Sequence, residues 1–308
     1  MRHHRRGGPV AAADRGASDV LSLRDIRRRI RSVQSTRQIA RAMEMVSAAR
    51  LKRAQARLLS ARPYADKMDA VVNKIAHADE LKVHPFLVER ELRGAGVCVV
   101  ASDRGLCGAF NSNVLARADE LAAELARRQG CASVRFSPVG RKAVSYYRRR
   151  GEDLLCYFPE LGALADPGLT QQLAARLMEY FLNGQTDEVW LVYTHFISSG
   201  SRRVVAERLL PLVRPEEESA AGAYGYIFEP PAAQLLGVLL PKYVEMKVFM
   251  AVTESCASEH SARMVAMSFA TKNADDMGYE LTLMRNRARQ SAITREIADI
   301  VGTAEAVT

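Results

Sequence analysis

After Pro241 the chain has no further proline, and only Gly278 and Gly302 interrupt the good helix formers that run to Thr308. A continuous helix from Tyr243 to Val301, rising 1.5 Å per residue, would span roughly 90 Å. A compact domain of a few hundred residues has a radius of gyration of about 15–20 Å. Such a helix cannot be contained in its own domain. It must project and find a partner surface along its length.

A second stretch of the same kind lies at the other end. Ser22 to Arg62 holds neither glycine nor proline, and Pro63 marks a limit or kink. Leu23, Ile26, Ile30 and Val33 step by three and four, as do Ile39, Met43 and Val46, with a phase slip near Thr36–Arg37. Two exposed apolar stripes are most simply buried against one another, and a domain between them that returns the chain to its start makes the pairing antiparallel. Ala257, Ser261, Met264, Met267, Ala274 and Ala288 are the candidate seam of the C-terminal helix, since small side chains allow close approach and methionine fills irregular gaps. Close backbone packing is also the expectation at Gly278, where a mid-helix glycine costs about 1 kcal/mol relative to alanine.

The middle, about Arg93 to Pro215, reads differently. Gly96–Ser102 and Val189–Thr194 are β-rich apolar runs, Val134–Val139 is a weaker third strand, and Arg203–Val213 is a candidate fourth. Asn113–Arg128 and Leu169–Leu182 are amphipathic helix candidates. Strands alternating with helices indicate an α/β layer around a mostly parallel, Rossmann-like sheet. Glu216–Gly225 reads as a surface loop, and Met1 to Asp19 as an extension without fixed structure.

Charge is concentrated rather than spread. Ser22 to Ser60 carries eleven Lys and Arg against Asp25 and Glu44, which leaves the remainder balanced at 33 of each sign. That helix could face phosphates, an anionic membrane or acidic protein loops. It contains no aromatic residue, which weighs against nucleic acid, and the one-sidedness weighs against a merely solvated face. Acidic protein partners fit best. Five scattered cysteines without CxxC spacing argue against a disulfide framework and for a reducing compartment. No apolar run approaches the roughly 20 residues of a membrane span.

Candidate chemistry is sparse. Gly105–Gly108, in SDRGLCGAFN, lies between a strand and a helix, where a glycine loop could cradle phosphate. It matches neither GxGxxG nor GxxxxGK[ST], so a tight βα turn is the better reading. Cys107 near a helix start has no histidine close in sequence, and reads as a structural or incidental thiol. His260, beside Glu259, forms no HExxH pattern and reads as a seam or surface residue. Neither a cofactor nor a metal site is expected. Two other readings stay open from residues alone: a basic coiled-coil protein that binds nucleic acid, and an α/β nucleotide enzyme with helical arms.

Three segments carry a resemblance: SLRDIRRRIRSVQSTRQIARAMEMVSAARLKRAQ near the start, the central SDRGLCGAFN, and SARMVAMSFATKNADDMGYELTLMRNRARQSAITREIADIVGTAEAV at the end. Together with HPFL (His84–Leu87) and YGYIFEP (Tyr224–Pro230), they resemble the gamma subunit of the F-type ATP synthase, from about Leu21 to Val307. The resemblance implies an antiparallel coiled coil of the N- and C-terminal helices with a central α/β domain. It divides the chain into residues 1–20 (extension), 21–92 (N-terminal helix and connector), 93–228 (α/β foot) and 229–308 (C-terminal helix). It implies a central rotary stalk that couples proton or sodium ion flow to ATP synthesis or hydrolysis on other subunits. Partners would be the alpha and beta subunits, the epsilon subunit and the membrane c-ring, with neither nucleic acid nor nucleotide bound by this chain. The place would be the cytoplasmic face of the bacterial inner membrane, peripherally bound, with no catalytic residue in the chain.

Residue roles follow from the same resemblance. Met43, Arg289, Gln290, Thr294, Arg295 and Glu296 match positions that face acidic catch loops, where arginine finds carboxylates without a fixed register. Ile297, Ile300 and Val301 match the tip that turns within an apolar collar. Tyr226, Phe228 and Glu229 match the foot near the c-ring, with Phe228 in a tyrosine-like position. The regulatory cysteine insertion of the chloroplast form is missing, so thiol regulation is not expected.

Overall fold

A computed structural model describes residues 22–75, 84–212 and 232–305. The elements run in order α1 (Leu23–Ile75), a short 3-10 turn (Pro85–Leu87), β1 (Gly94–Val100), α2 (Phe110–Ala126), β2 (Ser133–Val139), α3 (Arg141–Arg150), α4 (Pro167–Leu182), β3 (Glu188–Phe196), β4 (Arg202–Leu210) and α5 (Ala232–Glu305). The chain divides into two compact units, residues 40–269 and a smaller one formed by 1–39 with 270–308. Met1–Asp19, Glu216–Gly225 and YGYIFEP, with Tyr226, Phe228 and Glu229, lie outside the described residues.

In the larger unit the sheet has the order β2-β1-β3-β4. β1 pairs in parallel with β2 and β3, and β4 closes the edge as the antiparallel half of a hairpin. All seven residues of β1 are buried, as a central strand covered on both faces requires. Cys98 and Val100 point into the core beneath α4 and α5. Ala95, Val97, Val99 and Ala101 point into the other, beneath α2 and α3. Phe86 and Leu87, from HPFL, plug the first core, and His84 Nδ1 accepts the Phe86 N–H at 3.2 Å to cap their turn.

α3 was not among the expected elements. It is short and ends in three arginines, and its buried residues are only Ala143, Val144 and Tyr147. Glycines bracket it. Gly140 has φ +89°, and a Cβ there would stand 2.2 Å from the Ala101 carbonyl oxygen, so only glycine lets β2 end this close to β1. Gly151, at φ +71°, supplies the left-handed C-cap.

Neither proline ends its helix. α1 continues through Pro63 to Ile75, and α5 begins at Ala232, ahead of Pro241. Each proline removes the hydrogen bond to the carbonyl four residues earlier. Those carbonyls belong to Leu59 and Gly237, both exposed, so water can satisfy them. Ala65, Met68 and Val72 beyond one proline, and Leu236 and Leu240 before the other, then hold both segments in the core.

Buried and half-buried positions along α1 alternate in steps of three and four without a break, from Leu23 through Ile26, Ile30, Val33, Arg37, Ala40, Glu44, Ser47, Leu51, Ala54 and Leu58 to Val72. The expected phase slip is therefore not there. Ile39 is 59% exposed and Val46 51%, because Ala40 and Ser47 occupy the seam and turn these apolar side chains outward.

In the larger unit α1 and α5 pair antiparallel. Lys247 Nζ lies 3.3 Å from Asp69 Oδ1, the Arg57 guanidinium sits 5.4 Å over the Phe249 ring, and Leu51, Ala54 and Leu58 pack near Ala257 and Met264. In the smaller unit the pairing has the same sense: Arg37 Nε meets Asp275 Oδ1 at 2.6 Å, with Ile26, Ile30 and Ala274 buried. Of the expected seam residues, Ala257, Ser261, Met267 and Ala274 are buried, while Met264 and Ala288 are half-buried. Gly278 departs from expectation: a Cβ there meets nothing within 4 Å, so close backbone packing is not the reason for this glycine.

Candidate functional site

In the polar run TESCASEHSAR the sequence marks only Ala257 and Ser261 as seam, with His260 at the seam or the surface. The whole run is instead enclosed. Every residue of α5 from Ala251 to Arg263 is buried, more than three helical turns with no exposed face. Thr253, Glu254, Ser255, Ser258, Glu259, His260, Ser261 and Arg263 are all within this stretch, and buried polar groups must find partners or lose stability.

The partners come from the ends of the sheet. Ser255 Oγ donates to the Val100 carbonyl at 3.4 Å, where β1 ends, and Ser258 Oγ to the Thr194 carbonyl at 3.0 Å, near the end of β3. Ser261 Oγ donates to the Ser199 carbonyl in the β3–β4 turn. His260 Nε2 donates to the Ala163 carbonyl at 2.8 Å, and Nδ1 has no hydrogen-bond partner. Arg263 donates from Nε to Gly105 O and from Nη2 to Arg104 O, each at 3.2 Å, while its Nη1 lies 2.7 Å from Glu259 Oε1. His195 Nδ1, on β3, stands 2.5 Å from Glu254 Oε2.

Burial dominates the electrostatics. It pushes the Glu259 carboxyl above its ordinary range against the counteracting Arg263 charge. It likewise raises Glu254 against the pull of His195, and lowers His260 so that its neutral form is favoured.

This socket occupies a significant place in the fold. In an open sheet of order 2-1-3, the strand order reverses between β1 and β3, and ligands of doubly wound folds bind in the crevice outside the carboxyl ends of those strands. Here α5 fills it. The loop after β1 is committed to the same joint. Asp103 accepts backbone N–H groups from Arg141 at the start of α3 and from Leu161 and Gly162 in the loop before α4, so a carboxylate of the chain itself takes up those donors. Gly108 at φ +58° makes the tight βα turn, and Leu106, a non-glycine at φ +62°, is 63% exposed at its apex. Cys107 is buried, with its thiol pushed up by burial, which does not favour a reactive thiolate. Among the described residues no group of three metal-ligating side chains occurs, and no helix is long and apolar enough to cross a membrane.

The residues singled out from the sequence lie elsewhere. Met43 is half-buried on α1 in the larger unit, its carbonyl accepting from Ser47 Oγ at 2.7 Å. Arg289, Gln290, Thr294, Arg295, Glu296, Ile297, Ile300 and Val301 are all exposed on α5 in the smaller unit. Sequence reasoning put Ala257 and Ser261 on a helix seam and His260 at the seam or surface, but missed the socket of sheet-end partners around them. A run of serine, alanine and histidine inside an otherwise amphipathic helix was the only available signal.

An antiparallel pair of terminal helices, one of them threaded through the crevice of an inserted α/β domain, defines the class. A family model described as ATP synthase matches residues 22–307. The ATP synthase gamma chain of Pelotomaculum thermopropionicum is 45% identical over 286 residues, covering 93% of this chain and 99% of that one; the gamma chain of Moorella thermoacetica is 44% identical over 285 residues, covering 92% and 99%. Among solved structures, the rotor of the Euglena gracilis mitochondrial ATP synthase shares the fold with a TM-score of 0.63 at 20% identity, over 88% of this chain and 98% of that one. A central stalk and c-ring structure from Tetrahymena thermophila mitochondrial ATP synthase gives 0.57 at 23% identity, over 75% and 99%. The chain belongs to the ATP synthase gamma chain family.

Proposed function

We propose that this chain is the central rotary stalk subunit of an F-type ATP synthase. Its paired helices turn inside a hexamer of alpha and beta subunits, and its α/β domain stands with the epsilon subunit on the membrane c-ring. Rotation couples proton or sodium ion flow to ATP synthesis or hydrolysis at the beta subunits. Chemistry belongs to those subunits, and this chain supplies no catalytic group. The complex is held peripherally at the cytoplasmic face of a bacterial inner membrane.

The observation that carries this reading is the family relationship, which spans more than nine-tenths of the chain and its relatives alike. The surfaces agree with it. α1 exposes Ile39, Met45 and Val46 beside Arg41 and Arg53, an apolar and basic mixture suited to partners with acidic loops. On α5, Arg289, Gln290, Thr294, Arg295 and Glu296 would meet such loops, as would Met43 on α1. Ile297, Ile300 and Val301 would form the tip, where non-directional apolar contact leaves no deep angular trap. Tyr226, Phe228 and Glu229 would face the c-ring.

Co-expression with alpha and beta subunits tests this. The chain is expected to co-purify with them and to make ATP hydrolysis drive proton uptake into vesicles that carry the membrane sector. A micromolar ATP site on the chain alone, or failure to assemble with alpha and beta, would overturn it.

A further inference from the structure

We infer that the buried stretch of α5 is a splined joint: its side chains lock the helix to the α/β domain in both angle and axial position. The inference rests on the rotary reading for its purpose but not for its geometry. Six residues of this stretch reach side chains or carbonyls outside α5, namely Glu254, Ser255, Ser258, His260, Ser261 and Arg263. At about 100° per residue they are spread around the helix with no gap wider than about 100°, and along roughly 13 Å of its axis.

The kind of contact matters. Apolar packing falls off gradually as surfaces slide, whereas hydrogen bonds weaken steeply with angle and leave buried groups unsatisfied when broken. The acceptors belong to five separate segments: the end of β1, the end of β3, the β3–β4 turn, the loop at Ala163 and the loop at Arg104–Gly105. Turning α5 by one residue, or sliding it by one turn, would remove every donor from its acceptor at once. A purely apolar socket would permit a graded slip. Ser258, His260, Ser261 and Arg263 are therefore positioning residues for torque, far from any reacting atom.

The test uses the full chain with Cys131→Ser and Cys156→Ser, spin-labelled at Ser112→Cys on α2 and Ser268→Cys on α5, both exposed positions. Pulsed dipolar spectroscopy should give one narrow distance distribution. Ser258→Ala/Ser261→Ala should broaden it, and each single variant should do so less. Thr253→Ala serves as the control, because its equally buried hydroxyl bonds to Phe249 O within the same helix and should leave the distribution narrow. A lower melting temperature alone would not widen a native-state distribution. If the double variant stays as narrow as the control, or if both broaden alike, the spline is refuted. Vesicles reconstituted with alpha, beta and the membrane sector complete the test. The double variant should hydrolyse ATP normally yet show a lower limiting proton gradient, and an unchanged gradient also counts against the joint. Should the wild-type chain itself fail to drive pumping, the rotary reading falls, while the label distances still decide the spline.

Discussion

Replacing Arg263 by methionine keeps an unbranched stem and good helix propensity but removes the charge that serves buried Glu259 and two backbone carbonyls. Glu259 Oε1, Gly105 O and Arg104 O lose donors at 2.7, 3.2 and 3.2 Å. Arg263 and Glu259 are each only 5% exposed, so water cannot readily substitute. Removing one partner of a buried ion pair typically destabilises by about 3–5 kcal/mol, mostly through the charge left behind. Glu259→Gln/Arg263→Met leaves no charge behind, and should recover all but about 1–2 kcal/mol of that loss. The assay is equilibrium urea unfolding followed by Trp190, the sole tryptophan, on the strand β3 whose far end meets the socket. The deficit should also depend on pH. Glu259 already has its carboxyl raised by burial, and without Arg263 it rises further. A group whose folded pKa is raised takes up a proton on folding, so its contribution is lost as pH rises through that value. The single variant should therefore be worst near neutrality and approach wild type as the solution is acidified toward the ordinary glutamate range. A loss under about 1 kcal/mol, or a double variant no more stable than the single one, would refute the argument that a buried charge is at stake.

Gly278→Ala should stabilise the helix by about 1 kcal/mol, read as a higher melting temperature by circular dichroism, since the added methyl meets open space; destabilisation would mean a neighbour must move. Burial lowers His260, so the native state resists protonating it, and wild-type stability should fall as pH drops below about 6.5, by up to about 1.4 kcal/mol per unit. Glu254 and Glu259 act in the opposite sense, so the measurement is the difference between wild type and His260→Gln in urea at several pH values, and equal slopes would contradict it. Val46→Glu, at an exposed site, should change the stability of the isolated chain by less than about 0.5 kcal/mol yet reduce co-purification with alpha and beta subunits. Undiminished recovery would show that this face of α1 is not a partner surface.

The sequence made the long helices and the alternating middle legible through periodicity and the lack of breakers. It misled where small residues do the packing. Ile39 and Val46 attracted the apolar reading, while Ala40 and Ser47 hold the seam, because helix approach depends on size as much as on hydrophobicity. α3 escaped because ten residues bracketed by glycines, four of them arginine, offer little apolar periodicity. The stretch of α5 ahead of Pro241 is not legible from breakers alone, because an exposed glycine four residues earlier gives no sequence signal that the helix can tolerate the ring. The socket was hidden for a deeper reason. Its serines and charged groups are buried by elements far away in sequence, and only their partners reveal them.

The filled crevice has a consequence for regulation. In many doubly wound proteins that cleft is where the domain senses which small molecule is abundant. Here the chain has placed its own helix and its own aspartate in that cleft, so a small molecule entering it would first have to displace α5. Any displacement of α5 would in turn be felt at the ends of β1 and β3, where its hydroxyls are bonded.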